Sequence, residues 1–149
     1  MSNNSDPWEL AFAEARAAAA RGEAPVGACV VKDGEILASA GNRTIQDHDP
    51  TAHAEMIVLR EAARKLKDER LTGCDLYVTL EPCAMCAGAI SFARIRRLYF
   101  AASDEKGGAV ENGPHFFSQK TCHHGPEIYG GIRANEAAEL LRDFFKARR

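Results

Sequence analysis

Two short clusters in the sequence combine the residue types that bind a transition metal. His53 is one potential ligand, and Cys83 and Cys86 are two more. Zinc prefers nitrogen and sulfur ligands in a tetrahedral arrangement, and a catalytic zinc site takes three from the protein and leaves the fourth position to water. Glu55 is close enough in sequence to face that position without binding the metal. Because zinc lowers the pKa of water and a carboxylate carries protons, these residues predict a hydrolytic centre.

The spacing of the two cysteines predicts the element that carries them. Cys83 and Cys86 are three residues apart, which places them on one face of a helix. Pro82 immediately before them suits the first turn of a helix. A helix N-terminus also favours the thiolate, the form of cysteine that binds metals. Because His53 likewise opens a predicted helix over residues 52–66, we expect two helix N-termini to face each other across one metal ion.

Simpler interpretations exist for each motif when it occurs alone. A single Cys-x-x-Cys motif is also typical of a redox pair or of half a structural zinc site, and a His-x-Glu pair occurs by chance on many helices. A structural zinc site needs four protein ligands, and the sequence contains no second Cys-x-x-Cys and no His-x-x-x-His motif. The two clusters together, each opening a helix, therefore favour a catalytic zinc site.

The motifs resemble those of a known enzyme family. His-x-Glu followed by Pro-Cys-x-x-Cys is the signature of zinc-dependent nucleobase deaminases. Beyond that signature, the sequence is similar to the bacterial TadA-type tRNA adenosine deaminases from about residue 7 to the C-terminus, least so between residues 107 and 126. The segments that carry the resemblance are PVGA (25–28), NR (42–43), HDPTAHAE (48–55) and LYVTLEPC (76–83).

The resemblance implies a reaction and partners that the zinc motif alone does not specify. It implies hydrolytic deamination of adenosine to inosine at the wobble position of a tRNA anticodon stem-loop, with one zinc ion per chain and no organic cofactor. His53, Cys83 and Cys86 would hold the zinc. Glu55 would take a proton from the attacking water and return protons to the ring nitrogen and the leaving amine. The resemblance also implies a homodimer in which the partner chain contributes RNA contacts to each active site.

Four further residues are expected to contact the substrate. Asn42 is typical of a turn from its sequence context, but the resemblance places it against the nucleoside. Asp104 and Lys106 correspond to family positions at the RNA-facing mouth of the site. Phe145 lies in a basic, aromatic C-terminal segment, where an aromatic ring could stack on a base next to the target. Core packing is the alternative role for Phe144 and Phe145.

Composition limits the class of protein. With 149 residues, 46% hydrophobic and 27% charged, the sequence fits one soluble globular domain over residues 1–149. No run is long enough to span a membrane, and residues 1–5 carry no export signal, so the expected location is the cytoplasm.

The distribution of charge neither requires nor excludes an RNA substrate. A net charge of −2 argues mildly against a protein that binds long stretches of phosphate. Basic residues do cluster in two places, and each cluster is either an RNA contact or an ordinary solvated surface. The clusters are Arg94, Arg96 and Arg97, and Arg142, Lys146, Arg148 and Arg149.

The other three cysteines have simpler predicted roles. Five cysteines make an odd number, which argues against a complete disulfide framework. Cys29 and Cys74 lie in strand-like segments and are predicted to be small buried apolar residues. Cys122 is followed by His123 and His124; we interpret this segment as a polar loop, with a second metal site as the alternative.

Apolar periodicity and turn signals predict four helices and five strands. The predicted helices cover residues 7–21, 52–66, 83–92 and 135–146, and the predicted strands cover 26–32, 35–40, 74–79, 97–102 and 127–132. Asp33-Gly34 between the first two strands is typical of a two-residue hairpin turn. Residues 103–125 lack periodicity and are predicted to form a rim of the active site, since functional residues favour loops on a rigid scaffold.

This order of elements predicts a three-layer α/β/α fold with a five-stranded mixed sheet. The first two strands should pair antiparallel, and the third and fourth, separated by a helix, should be parallel. The link from the fourth to the fifth strand is long enough for a parallel crossover. The resemblance implies that the last two strands are indeed parallel, as in the tRNA-type members of the cytidine-deaminase-like fold.

Two rival functions remain open from the sequence. A deaminase of a free base or nucleoside, such as guanine or cytidine, would use the same zinc chemistry, so the motif does not separate it from a tRNA deaminase. A non-catalytic, zinc-stabilised RNA-binding module is the rival from another class. Glu55 argues against the second rival, because a structural zinc site has no use for a carboxylate beside a vacant position.

Overall fold

A computed structural model describes residues 6–148 of the chain. Every predicted helix and strand is present, and the bounds agree with the prediction to within two residues. The helices are α1 (Pro7–Ala20), α2 (Ala54–Leu66), α3 (Ala84–Ala93) and α4 (Ala134–Ala147); the strands are β1 (Gly27–Lys32), β2 (Glu35–Gly41), β3 (Cys74–Leu80), β4 (Arg97–Ala102) and β5 (Glu127–Gly130). One turn of 3-10 helix, Phe116–Ser118, interrupts the segment between β4 and β5.

The strands form a mixed sheet in the order β2-β1-β3-β4-β5. β1 pairs antiparallel with both β2 and β3, whereas β3, β4 and β5 run parallel to one another. α1 and α4 pack on one face of the sheet, and α2 and α3 pack on the other. The predicted three-layer fold and the parallel last two strands are therefore confirmed.

Local sequence signals at the ends of elements behave as expected. The Asp6 side chain accepts a hydrogen bond of 2.9 Å from the backbone N–H of Trp8 and so caps α1. Asp33 and Gly34 both have positive φ, at 51° and 77°, the conformation that a tight hairpin turn requires. These contacts explain why the first helix and the hairpin could be recognised from a few residues.

Two apolar layers hold the helices to the sheet. The larger lies between the sheet and α2 with α3 and includes Val58, Leu76 and Phe100; the smaller, under α1 and α4, is built on Phe12. Cys29 and Cys74 are fully buried, as predicted. Within residues 6–148, no helix has both the length and the apolarity needed to cross a bilayer.

Helix α1 lies directly against the backbone of β1. A Cβ added at Gly27 would lie 1.9 Å from the carbonyl oxygen of Ala11 and 2.6 Å from the amide nitrogen of Ala15. Both atoms belong to the backbone of a helix, so they cannot move aside as a flexible side chain can. Only glycine permits this approach of helix to strand.

Gly27→Ala should therefore destabilise the protein strongly. Overpacking a core typically costs about 1–3 kcal/mol, and a clash with backbone belongs at the upper end of that range. The free energy of unfolding, measured by urea titration, should fall by about 3 kcal/mol. Gly125→Ala is the matched control, because its added Cβ would meet Phe117 at 3.5 Å, an ordinary contact. Equal stability of the two variants would contradict this packing of α1.

Three tyrosines form a stacked row across the parallel strands. Tyr77, Tyr99 and Tyr129 occupy paired positions on β3, β4 and β5. Neighbouring rings stack with centroids 4.5 and 5.1 Å apart, and Trp8 of α1 meets Tyr77 edge-on at 5.4 Å. The row lies on the α1 side of the sheet, and each stacked pair contributes about 0.5–1.5 kcal/mol beyond its buried area.

Candidate active site

The three candidate metal ligands meet where two helices begin. His53 is the N-cap of α2 and Cys83 the N-cap of α3, while Cys86 lies in the first turn of α3. The Sγ atoms of Cys83 and Cys86 lie 3.7 and 3.5 Å from Nδ1 of His53. All three ligand atoms lie within 4.8 Å of one another. The structure therefore brings together the residues that the sequence pattern grouped, at two facing helix N-termini.

This donor set fits a zinc ion. Bonds of about 2.0–2.3 Å in a tetrahedron place the ligand atoms about 3.6 Å apart, and the two nitrogen-to-sulfur distances lie within 0.1 Å of that value. One imidazole nitrogen with two thiolates suits zinc rather than a hard cation such as Mg²⁺. Across residues 6–148, this is the one group of three or more histidine, cysteine or acidic side chains close enough to share an ion.

The two thiols are coupled through one proton. The hydrogen bond from Cys86 lowers the pKa of Cys83 to about 4, and the same bond raises the pKa of Cys86. The two sulfur atoms lie within 4.8 Å of each other, so two thiolates would repel each other. The second proton therefore leaves only when a cation takes its place. A divalent metal would meet that condition and would bind with release of the shared proton.

Glu55 lies beside the cluster, in the first turn of α2, and is only 4% exposed. Burial raises the pKa of its carboxyl to about 7, because a charge is poorly solvated in the protein interior. A cation on the adjacent ligands would lower this pKa again. A carboxyl whose pKa lies near neutrality can both accept and return a proton, which is the property required of a general acid and base.

A cavity of about 640 Å³ opens onto His53, Glu55 and Cys83. Apolar side chains form part of its wall, and a second set of residues, polar except for Gly107, forms its rim. The apolar residues are Ala24, Val26, Leu80 and Leu141; the rim consists of Asn42, Ser103, Asp104, Glu105, Lys106 and Gly107. A concave, mostly apolar pocket with a few polar groups is the usual form of a site for a small molecule.

All four residues expected at the substrate line this cavity. Oδ1 of Asn42 accepts a hydrogen bond of 2.8 Å from the backbone N–H of Ala54, so its side chain also holds the start of α2. Oδ1 of Asp104 accepts hydrogen bonds from the N–H groups of Lys106 and Gly107 at 3.1 and 2.9 Å. These bonds shape the turn that forms the rim.

The two adjacent phenylalanines of α4 have different environments. Phe144 is only 9% exposed, and the Arg148 guanidinium lies over its ring at 3.6 Å, so this residue belongs to the packing of the helix. Phe145 is 53% exposed and lines the cavity. The alternative of core packing therefore describes Phe144, and Phe145 is free to meet a ligand at the mouth.

The first basic cluster is largely neutralised by neighbouring acids. Arg96 makes a two-bond contact with Asp75 at 2.9 and 3.0 Å, and Arg97 contacts Glu127 at 2.8 Å. These pairs favour the interpretation of a solvated surface. In the second cluster, Arg142 and Lys146 border a shallow hollow beside Phe145; Arg149 lies outside the described residues.

The segment after β4 agrees better with a polar loop than with a second metal site. Sγ of Cys122 lies 3.4 Å from the Ser91 hydroxyl and donates to the carbonyl oxygen of His124 at 3.2 Å. Nε2 of His124 lies 2.9 Å from the carbonyl oxygen of Ile95. These groups bond to backbone and hydroxyl oxygens and so tie the segment to α3 and to the link that follows it.

Sequence reasoning missed two buried carboxylates. Glu81 stands out in the sequence only as a member of the LYVTLEPC segment, and Glu23 belongs to no motif, yet they are 2% and 1% exposed. Burial alone would raise the pKa of Glu81, but hydrogen bonds from Asp104, Asn112 and Val110 outweigh burial and lower it below its usual value. The available signal was an acidic residue directly after an apolar strand.

Cysteine labelling should separate the roles of the five thiols. In zinc-loaded protein, iodoacetamide should modify only Cys122, because Cys29 and Cys74 are buried and the two ligand thiols would be bound to metal. After chelation Cys83 should react next, since it is partly exposed and its low pKa makes it a thiolate at neutral pH. Peptide mass spectrometry gives the order, and modification of Cys83 before chelation would contradict the proposed ligand set.

Comparisons with known proteins agree with this site. The family profile described as the cytidine and deoxycytidylate deaminase zinc-binding region matches residues 1–102. The tRNA-specific adenosine deaminase of Agrobacterium fabrum (strain C58) is 58% identical over 149 residues, covering 100% of this chain and 98% of that one.

Solved structures extend the comparison. One, from a study of A-to-I editing by tRNA:A34 deaminases at the wobble position of transfer RNA, matches with a TM-score of 0.89 and 60% identity over 91% of this chain and 98% of that one. The guanine deaminase of Bacillus subtilis is more distant, with a TM-score of 0.65 and 29% identity over 97% and 94% of the two chains. The chain belongs to the cytidine and deoxycytidylate deaminase family, within the group of tRNA-specific adenosine deaminases.

Proposed function

We propose that this protein converts adenosine to inosine at the wobble position of a tRNA anticodon by hydrolysis, with the cytoplasm as its place of action. The observation that carries the proposal is the pairing of a three-ligand metal cluster with a buried carboxyl at the floor of one cavity. The two relatives named as tRNA deaminases support the choice of substrate. Their sequence identity to this chain is 58% and 60%, against 29% for the guanine deaminase.

The protein groups divide the chemistry between them. His53, Cys83 and Cys86 would hold one zinc ion, which when bound supplies a Lewis acid that lowers the pKa of water. Glu55 takes the proton of the attacking water and delivers it to the ring nitrogen of adenine. It then carries the second proton to the leaving amine, so that water is consumed and ammonia is released. Burial of Glu55 suits both transfers.

The shape of the site requires that the target base leave its stack. The ligand cluster lies at the floor of a recessed cavity, so a base held within an anticodon loop must turn outwards to reach it. The apolar side chains of Val26 and Leu80 suit the faces of the base. Phe145 at the mouth offers a ring on which a neighbouring base can stack.

A direct assay separates this function from its closest rival. The enzyme is incubated with an anticodon stem-loop bearing adenosine at the wobble position, and separately with free adenosine, guanine and cytidine, and ammonia release is followed. We expect rapid release from the stem-loop alone, and the Glu55→Ala variant serves as the background control. Faster release of ammonia from a free base or nucleoside than from the stem-loop would show that the proposed substrate is wrong.

Metal analysis tests the proposal of one catalytic zinc per chain. X-ray absorption at the zinc edge should show two sulfur ligands, one imidazole nitrogen and one further light atom. Four protein ligands would instead indicate the non-catalytic RNA-binding module. Elemental analysis should give one zinc per chain.

We also propose that the protein acts as a homodimer whose interface includes α3, the helix that carries Cys86. The resemblance to TadA-type deaminases is the reason to expect a dimer, and Phe92 on α3, which is 80% exposed, is the large apolar side chain that we assign to its interface. Sedimentation should show a dimer of the wild type and a shift towards monomer for Phe92→Ser. Phe145→Ser, which removes an exposed ring elsewhere, is the control. A wild type that sediments as a monomer would refute the proposal.

A further inference from the structure

The carboxylate of Glu81 collects hydrogen bonds from one loop on the rim of the cavity. Its Oε2 accepts from three successive backbone N–H groups, and its Oε1 accepts from a fourth N–H and two side chains. The donors to Oε2 are Val110 (3.0 Å), Glu111 (2.9 Å) and Asn112 (3.0 Å); those to Oε1 are the Asp104 amide (2.9 Å), the Asn112 side-chain amide (2.7 Å) and the Ser103 hydroxyl (3.3 Å). We refer to residues 103–112 as the rim loop.

The backbone on either side of Glu81 is tied to the same loop. The amide of Glu81 donates to the carbonyl oxygen of Ala102 at 2.8 Å, where the loop begins. The carbonyl oxygen of Pro82 accepts from the amide of Ala109 at 2.9 Å. The rim loop is therefore attached to the segment that leads from β3 to Cys83, and Glu81 lies at the centre of the attachment.

Packing leaves no space between the carboxylate and the loop. A Cβ added at Gly108 would lie 2.4 Å from Cδ and 2.5 Å from Oε2 of Glu81. The loop backbone thus passes directly over the carboxylate, and any other residue at this position would separate them.

The hydrogen-bonding capacity of Glu81 is fully used by the protein. An ionised carboxylate has about four acceptor positions, and six donors from the rim loop already surround this one. Although Glu81 borders the cavity, its oxygens have no position left for a substrate. This argues against a catalytic role and in favour of a structural one that acts on the loop.

The rim loop carries residues that face the substrate. Ser103 to Gly107 line the cavity, and the turn they form depends on Asp104, whose amide is held by Glu81. A buried anion that gathers several N–H groups fixes a loop lacking regular structure, because each N–H would otherwise be unpaired in the interior.

We infer that Glu81 is a positioning residue, which holds the rim loop in the conformation that presents Asp104 and Lys106 to the RNA. The expected effect on deamination of the stem-loop rests on the proposed tRNA substrate. The expected effect on the conformation of the rim loop does not. Glu81→Gln keeps the shape of the side chain and replaces one acceptor oxygen with an N–H₂ group that faces other N–H donors. The rim loop should therefore loosen while the zinc ligands stay in place.

The test measures the loop and the reaction separately. In zinc-loaded Glu81→Gln protein, hydrogen exchange at the amides of 104 and 110–112 should accelerate at least tenfold, and zinc content should remain one per chain. Against the stem-loop, kcat/KM should fall about 10²-fold, as for other misplaced binding groups, with most of the change in KM. Glu23→Gln is the matched control: Glu23 is equally buried but accepts N–H groups from residues 45 and 46, so exchange in the rim loop should not change.

A second variant covers the case in which Glu81→Gln does not fold. Asn112→Ala removes one donor to the carboxylate and should produce the same pattern with smaller effects. Unchanged exchange in the rim loop of a folded variant would overturn the inference, and so would loss of zinc from both variants, since Glu81 would then act on the cysteine ligands. If the wild type does not deaminate the stem-loop, the proposed function fails, whereas the exchange measurement still decides the role of Glu81.

Discussion

Replacement of Glu55 by alanine should lower the rate of deamination by several orders of magnitude and leave zinc binding intact. General acid–base catalysis contributes about 10²–10⁴-fold, and here one carboxyl serves two successive proton transfers. Glu55 is not among the three ligand atoms of the cluster, so metal content should stay at one zinc per chain. Single-turnover deamination of the stem-loop, together with elemental analysis of the same sample, measures both effects.

The stability of this variant provides a further check. In the metal-free protein, a carboxyl whose pKa is raised by burial opposes folding at neutral pH, so the free energy of unfolding of the metal-free variant should not fall below that of the metal-free wild type. Glu61→Ala, on an exposed position of the same helix, is the control for any general effect on α2. A Glu55→Ala enzyme with near wild-type turnover would remove Glu55 from its proposed role.

Replacement of Cys86 by alanine should abolish zinc binding and destabilise the protein. Cys86 is fully buried, and without it the cluster keeps only two ligands. A ligand whose free concentration is 1,000 times its dissociation constant from the folded state adds about 4 kcal/mol to the free energy of unfolding. We expect the variant to lose at least that much stability relative to the zinc-loaded wild type. Thermal unfolding with and without a chelator measures it: the chelator should lower the midpoint of the wild type and leave that of the variant unchanged.

A second buried cysteine separates metal loss from cavity formation. Cys74→Ala removes an equally buried thiol far from the ligand cluster, so it should keep zinc and lose only the contribution of packing. Full zinc occupancy in Cys86→Ala would show that the ligand set is wrong. An equal shift of the unfolding midpoint by the chelator in the two variants would also contradict the ligand set.

Much of the fold was predictable because its signals are local. Asp6 caps α1 through a residue two positions away, and Asp33-Gly34 turns the hairpin by its own backbone conformation. The ends of α2 and β5 were less accurate, by two residues each. α2 begins at Ala54 rather than at residue 52, because His53 takes the cap position and the Asn42 side chain binds the first free N–H. That contact spans twelve residues and leaves no local pattern.

The site was predictable to the extent that its chemistry depends on residue type. An imidazole two residues from a carboxylate and two thiols three residues apart indicated the two halves of the cluster, although thirty positions separate His53 from Cys83. The attachment of the rim loop to Glu81 was not predictable, since its hydrogen bonds join residues more than twenty positions apart. A stretch that lacks periodicity, such as 103–112, can still have a defined conformation when one buried anion accepts hydrogen bonds from its backbone.

The edge strand β5 keeps its register through contacts between side chains rather than through burial. All four of its residues are exposed, and the stack of Tyr129 on Tyr99 is one of the contacts that align it with β4. A slip of one residue would turn Tyr129 to the opposite face. Such a slip would also separate Arg97 from Glu127, which face each other across β4 and β5 and form an ion pair at 2.8 Å. The edge strand therefore has one register that satisfies both contacts, although solvent reaches all four of its residues.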